Sequence, residues 1–303
     1  MAAAILDGHV EKAIEFVAEA AFNTFPTNPT MLGWGGYANP AKIKKTMVSE
    51  DFPYLKGAGA TNQLQAVQTQ KVSEAFEATI EIRPTAWTML PYALCGATAA
   101  TYAIGDTIHD VALGMKVNDQ YETLNGGCFN KLECTIEEDK AAVETITGMF
   151  ASSSGEGAVD YKGSGAHAAD PSGTALTMNG VTSMLYDAAA LSVVEAHVNS
   201  IKFGIEYAVT PIKDLASTAT SKVAGWAFGP RNISLELGLS IDDMTLGTQM
   251  LAGAAHTFAF TALSKTLTFS NVIWKGDWEK NLQKDDIVGM TLKADQSVSL
   301  AIA

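Results

Sequence analysis

Two segments of this sequence carry the same order of features at a shift of 157 residues, which aligns position 80 with position 237. In the first, apolar residues alternate with polar ones over 76–82, and a short helical spacing ends at Gly96-Ala97. In the second, the alternation covers 233–239, and a short helix is predicted to end at Gly253-Ala254. Four pairs of positions are identical: Thr88/Thr245, Leu94/Leu251, Gly96/Gly253 and Ala97/Ala254. A period this long predicts a duplicated domain rather than a solenoid.

The rest of the chain is also dominated by alternation at period two, as over 111–117, 132–136 and 201–207. Many short strands with polar outer faces favour a sandwich or a barrel. We therefore predict a mainly β protein with two tandem β-sandwich or barrel domains, each with a short α-helix, plus long loops.

Two segments rich in glycine, proline and serine suggest how these domains are arranged. Residues 24–62 contain four prolines and are predicted to be a long loop, and such loops are uncommon unless they are functional. Residues 156–173 are predicted to link a first domain, 1–155, to a second domain, 174–303.

Composition and charge exclude several classes of protein. The 303 residues are 47% hydrophobic and 17% charged, which excludes a disordered chain and a coiled coil. The net charge of −13 disfavours binding to nucleic-acid phosphates. No secretory signal or run of apolar residues long enough to span a membrane is present, so we expect synthesis in the cytoplasm and no membrane partner.

No motif indicates catalysis or a bound cofactor. Three cysteines are too few for a disulfide framework, and Cys128 and Cys134 have no histidine at a spacing typical of zinc ligands. Gly57-Ala58-Gly59 lacks the third glycine of a dinucleotide fingerprint. His109, with Asp106 and Asp110 nearby, is the one candidate for a metal corner, against a structural role for that histidine. We expect no enzyme activity, no cofactor and no metal.

The order of features resembles that of the tail tube (major tail) proteins of long-tailed phages and related viruses, from about residue 14 to residue 300. The resemblance is carried by Glu15-Phe16-Val17-Ala18-Glu19 running into a Thr/Pro turn at 24–29, and by the loop containing Gly33-Trp34-Gly35-Gly36. Leu124-Asn125-Gly126-Gly127-Cys128-Phe129 is similar to the family's hairpin, and 235–253 is similar to its strand and short helix. The alternating segment 287–294 is like its last strand.

The resemblance implies a structural virion protein, made in the host cytoplasm, that polymerises into stacked rings around a channel for viral DNA. Tandem tube domains imply homotrimeric rings, with hexameric rings as the alternative. Tape-measure and tail-terminator or tip proteins would be its other partners, and DNA would pass without specific binding.

Candidate residues follow for two roles. Glu77, Glu81 and Glu236 are predicted to line an acidic lumen, where they would repel phosphates; the alternative is that they face solvent or a neighbouring subunit. Gly33, Trp34, Gly35, Gly36 and Tyr37 are candidates for the loop that contacts the next ring.

Two other functions remain open on the sequence. One is another virion β protein, such as a head–tail joining or decoration subunit, which would stop at one ring. The other is a carbohydrate-binding β-sandwich, which would bind a glycan as a monomer.

Overall fold

A computed structural model describes residues 12–38, 42–54, 66–191, 196–213, 223–241, 252–279, 288–294 and 298–303. About 60% of the described residues are in strands and 3% are helical, so the prediction of a mainly β protein is confirmed. The first half contains β1 (Lys12–Ala18), β2 (Gly36–Ala38), β3 (Lys42–Tyr54), β4 (Ala66–Pro84), α1 (Leu90–Ala93), β5 (Val111–Val117), β6 (Gln120–Glu137), β7 (Val143–Phe150) and β8 (Ser152–Ser153). The second contains a 3-10 turn (Met178–Gly180), β9 (Val181–Tyr186), β10 (Ala189–Ala190), β11 (Ala196–Lys213), β12 (Val223–Ile241), β13 (His256–Ala262), β14 (Lys265–Val272), β15 (Lys275–Glu279), β16 (Val288–Ala294) and β17 (Ser299–Ile302).

Both halves use the same strand pairing. In the first half, β3, β4, β7 and the end of β6 form consecutive antiparallel strands. In the second, β11, β12, β16 and β15 follow one another in the same order. The bounds of β4 and β12 coincide under the 157-residue shift, since 66 aligns with 223 and 84 with 241. The repeat found in the sequence is therefore also a repeat of topology.

A second layer is duplicated in the same way. In the first half, β5 pairs with β1 and with the start of β6, which also pairs with β8. In the second, β13 pairs with β9 and with β14, and β14 pairs with β17. The single bent strand β6 thus corresponds to β14 and β15 together. Each half therefore consists of two antiparallel layers, as in a sandwich.

The two halves join directly, because β6 of the first pairs with β11 of the second over seven residues. The result is a continuous sheet in the order β15-β16-β12-β11-β6-β7-β4, which ends at β2 and β3 beside β4. Side chains of both halves also pack into one apolar core. Trp87, for example, donates its indole N–H to the carbonyl of Ala262 at 2.9 Å and contacts the ring of Phe203. The proposed division at 155 and 174 stays a prediction about folding units.

Three predicted segments differ from expectation or fall outside the described residues. The expected loop 24–62 is wrong in part, because 36–38 and 42–54 form β2 and β3. Its high Pro and Gly content hid a strand, β3, that pairs with β4 from Ala66 to Thr79. The segment 156–173 is not a free linker. Its backbone meets Tyr121 at Gly157 and Pro29 at Ala166. In the first half α1 supplies the predicted helix, whereas the predicted helix of the second half falls largely on 242–251, outside the described residues.

Candidate functional site

One face of the continuous sheet is buried and the other is polar. Alternation on β4 buries Ile80 and Ile82 and leaves Glu77, Thr79 and Glu81 on the opposite face. The registers place equivalent positions of the neighbouring strands on that same face. We call it the polar face, and its described side chains include Lys42, Lys44, Glu77, Thr79, Glu81, Arg83, Lys131, Glu133, Thr135, Glu137, Thr145, Thr147, Lys202, Glu206, Ser234, Glu236, Thr291 and Lys293.

All three lumen candidates lie on this polar face. Glu77 and Glu81 come from β4 in the first half, and Glu236 comes from β12 in the second. A single row across the sheet joins Glu81 to Ser234 through β7, β6 and β11. The sequence repeat therefore identified residues that the fold brings onto one surface.

The charges on the polar face are balanced rather than acidic. Six carboxylates and six cations are among the described side chains named above. Glu81 lies 3.3 Å from Arg83, and Glu236 lies 3.0 Å from Lys293. Since both pairs are partly exposed, each contributes at most about 1 kcal/mol to stability. Over the described part of this face, ion pairs, threonines and serines therefore lie between the glutamates; an acidic lumen wall stays a prediction.

Most of this surface could not be recognised from the sequence. Lys131 lies between Glu133 and Glu206, at 3.4 and 3.9 Å, and so connects β6 to β11 across the junction of the two halves. Alternation along 131–137 and 201–207 predicted which residues share a face. It gave no sign that these two strands are neighbours.

The five residues predicted to contact the next ring do not form an exposed loop. The side chain of Trp34 is 3% exposed and donates its indole N–H to the carbonyl of Ile14 at 2.8 Å. Gly36 begins β2. The preceding residue, Gly35, has a φ of +75°, which favours glycine, and it lies against the side chain of Thr88. A Cβ at either glycine would clash with neighbouring atoms. Of the five, Tyr37 keeps an exposed side chain, and its hydroxyl donates to the carbonyl of Gly173 at 3.0 Å.

A groove of about 1000 Å³ lies beside these residues. One wall consists of 33–38, and others come from β1, from β5 and from 168–172. Tyr37, Ile43 and Val117 are exposed apolar side chains along it. Residues 33–37 thus shape a concave surface, with Trp34 anchored in the core behind it.

Two buried carboxylates hold chain segments together. Glu15 accepts hydrogen bonds from the Tyr161 hydroxyl at 3.1 Å and from the backbone N–H of Ala168 at 3.1 Å, and its other close contact is His167 Nδ1 at 3.0 Å. Glu19 accepts from the backbone N–H groups of Gly126 and Asn23. Burial raises the pKa of Glu19 to about 7. These contacts tie 156–173 and the bend of β6 at 124–129 to β1 and its C-terminal end. The hairpin expected at 124–129 is wrong, because β6 continues through it from Gln120 to Glu137.

Glu144 differs from these two because, among the residues that the structure describes, neither of its oxygens has a hydrogen-bond partner. It is fully buried on β7, opposite Cys134 on β6 and Ile82 on β4. Desolvation raises the pKa of Glu144 to about 8. It is therefore mostly protonated at pH 7.

Over the described residues, no group of three His, Cys, Asp or Glu side chains is arranged to hold a metal ion. His109, the candidate metal corner, instead contacts the carbonyl of Gly96 at 3.0 Å and packs edge-on against Tyr92. Burial lowers the pKa of His109, which favours the neutral ring. The helices within the described ranges are too short to cross a membrane.

No protein-family model matches this chain, and no match is found among curated protein sequences.

Proposed function

We propose that this protein is a virion structural protein whose copies form stacked rings, and that the polar face lines a channel through which viral DNA passes. The observation that carries the proposal is the continuous sheet built from two equivalent four-strand units, apolar on one face and polar on the other. Within the residues that the structure describes, both edges of this sheet lack a partner strand. Repetition of the same unit in further copies would extend it into a closed wall.

The polar face suits passage of DNA without retention. Phosphates are held by clusters of unpaired Lys and Arg, and here Arg83, Lys131 and Lys293 each lie within 4 Å of a glutamate. Threonines and serines between the pairs offer hydrogen bonds without net charge. These pairs support a lumen surface that does not retain phosphates.

The width of the sheet favours three chains over six. Three copies of the eight-strand path give 24 strands. With about 4.8 Å between strands and a tilt of about 40°, the backbone diameter would be about 48 Å, and six chains would double it. The smaller ring is already wide enough for a DNA duplex, so we propose trimeric rings.

Negative-stain electron microscopy of the purified protein across a concentration series tests this function. Tubes or stacked rings with a central channel are the expected result, and threefold symmetry would identify the trimer. Rings that never stack would indicate a joining subunit instead. Particles that remain monomeric at all concentrations, and also after addition of preformed tail-tip complexes, would contradict the proposal.

A further inference from the structure

The junction between the two halves shows how two equivalent units pair. The end of β6 is the last strand of the first unit, and β11 is the first strand of the second. Their counterparts are β15, the last strand of the second unit, and β3, the first strand of the first. Within the described residues, the outer edges of β15 and β3 have no partner strand. One chain therefore contains one complete junction, between β6 and β11, and the two strands, β15 and β3, that would each form one side of a second junction.

The registers identify which residues of β3 correspond to residues of β11. Lys202 of β11 lies opposite Glu236, and Lys42 of β3 lies opposite Thr79, which aligns with Glu236 under the 157-residue shift. Lys42 therefore corresponds to Lys202. Two residues further along, Lys44 corresponds to Gly204 by the same reasoning.

A similar comparison relates β15 to β6. Position 144 of β7 corresponds to position 290 of β16, because they lie opposite the aligned residues Ile82 and Leu239. By the same comparison, Thr145 of β7 corresponds to Thr291 of β16. Glu133 of β6 lies opposite Thr145 and Asp277 of β15 lies opposite Thr291, so Glu133 corresponds to Asp277. Thr135 corresponds to Glu279 in the same way.

In the internal junction, Lys202 lies opposite Thr135 and Gly204 lies opposite Glu133. We propose that β15 of one chain pairs with β3 of a second copy in this same antiparallel register. Lys42 of one copy would then lie opposite Glu279 of its neighbour, and Lys44 opposite Asp277. The inference rests on the proposed self-assembly and specifies its interface.

Charge complementarity supports a second copy as the occupant of these edges. Each proposed pair, Lys42 with Glu279 and Lys44 with Asp277, brings a lysine opposite a carboxylate. At the equivalent places of the internal junction, Lys202 lies opposite Thr135 and Glu133 lies opposite Gly204, so neither pair there is oppositely charged. Opposite charges directly across a ladder stabilise pairing, whereas like charges oppose it. The contact is also head to tail, because each copy uses β3 on one side and β15 on the other, so it can close a ring.

Cysteine cross-linking tests the register. The native cysteines 95, 128 and 134 are all buried, so a thiol-specific cross-linker should report mainly the introduced positions. We expect the double variant Lys44→Cys/Asp277→Cys, treated with a short bismaleimide, to give dimers and trimers on a denaturing gel, with no larger species for a trimeric ring. The offset control Lys42→Cys/Lys275→Cys, whose positions would lie four residues out of register, should cross-link at least fivefold less.

Charge reversal provides a second readout. Lys42→Glu and Glu279→Lys should each raise the concentration needed for assembly severalfold. Thermal unfolding of the monomer should be unchanged, because Lys42 and Glu279 lie opposite the uncharged Thr79 and Gly289 within the chain. Combining both changes restores opposite charges and should restore assembly. Wild-type tubes with no cross-link in the 44/277 variant, or with no effect of either reversal, would overturn this interface while leaving the proposed function standing. Failure of the wild type to assemble, together with no cross-link, would overturn both.

Discussion

Position 144 shows how much a single residue can differ between two equivalent units. The first unit has a buried carboxyl there, with no hydrogen-bond partner for either oxygen. The corresponding position of the second unit, 290, is a methionine. Because an unpaired buried carboxylate is costly, the fold tolerates Glu144 mainly in its protonated form.

Stability should therefore depend on pH through Glu144. Its pKa is about 8 in the folded protein and near 4.5 in the unfolded chain, so the folded state holds an extra proton between these values. The contribution of Glu144 to the free energy of unfolding should be largest below pH 4.5. It should fall by roughly 1.4 kcal/mol per pH unit between pH 4.5 and about pH 8. Denaturant titrations of the monomer at several pH values measure the slope.

Glu144→Met is the matched variant, since it introduces the residue of the other half. It should be more stable than the wild type at pH 8 and should lose this part of the pH dependence. Glu144→Gln removes the charge and keeps the shape. Identical pH profiles for the wild type and both variants would show that Glu144 does not titrate in this way.

At the scale of elements, side chains on β1 decide how the segment 156–173 runs. Glu15 receives two hydrogen bonds from that segment and lies beside His167, while Tyr161 also contacts Tyr121. A segment that composition alone marked as a linker is thereby fixed to the outer layer of the first half. Polar contacts made by a buried carboxylate outweigh the flexibility of a glycine- and serine-rich sequence.

Removing this carboxylate should release the segment. Glu15→Ala leaves the Tyr161 hydroxyl and the Ala168 N–H without their acceptor, and should destabilise the protein by about 1–3 kcal/mol. Hydrogen exchange of 160–168 should speed up more than exchange of β11 or β12. Tyr161→Phe, which loses one hydrogen bond, is the milder control, and an equal change across all strands would argue against a local role.

At the scale of the whole molecule, the polar face predicts how DNA behaves in an assembled tube. Replacing Glu77, Glu81 and Glu236 with lysine would convert two ion pairs into like-charged neighbours and leave unpaired cations on the wall. Tubes of this triple variant should retain duplex DNA, with binding that weakens steeply between about 50 and 200 mM salt. Virions that carry it should release their genome more slowly.

Co-sedimentation of DNA with tubes measures the retention. A control with the same change in charge places lysine at Asp119, Glu156 and Asp170, which are exposed and lie outside the polar face. Those tubes should retain less DNA in the channel than the first variant. Equal retention by both would mean that the polar face does not line the lumen.

The sequence by itself determined the strands, their buried faces and the duplication, because these depend on local alternation and on the recurrence of a pattern. Ile80 and Leu237 occupy equivalent places, as the 157-residue shift required. Composition misled at β3, where the prolines and glycines of 24–62 predicted a loop, and the resemblance assigned Trp34 to a loop between rings although its side chain is buried. Only the tertiary structure decided that β6 pairs with β11, that Trp34 fills the core, and that Lys293 neutralises Glu236. The physical reason is that alternation specifies which face of a strand is buried, whereas the choice of neighbouring strand depends on contacts between residues far apart in the chain.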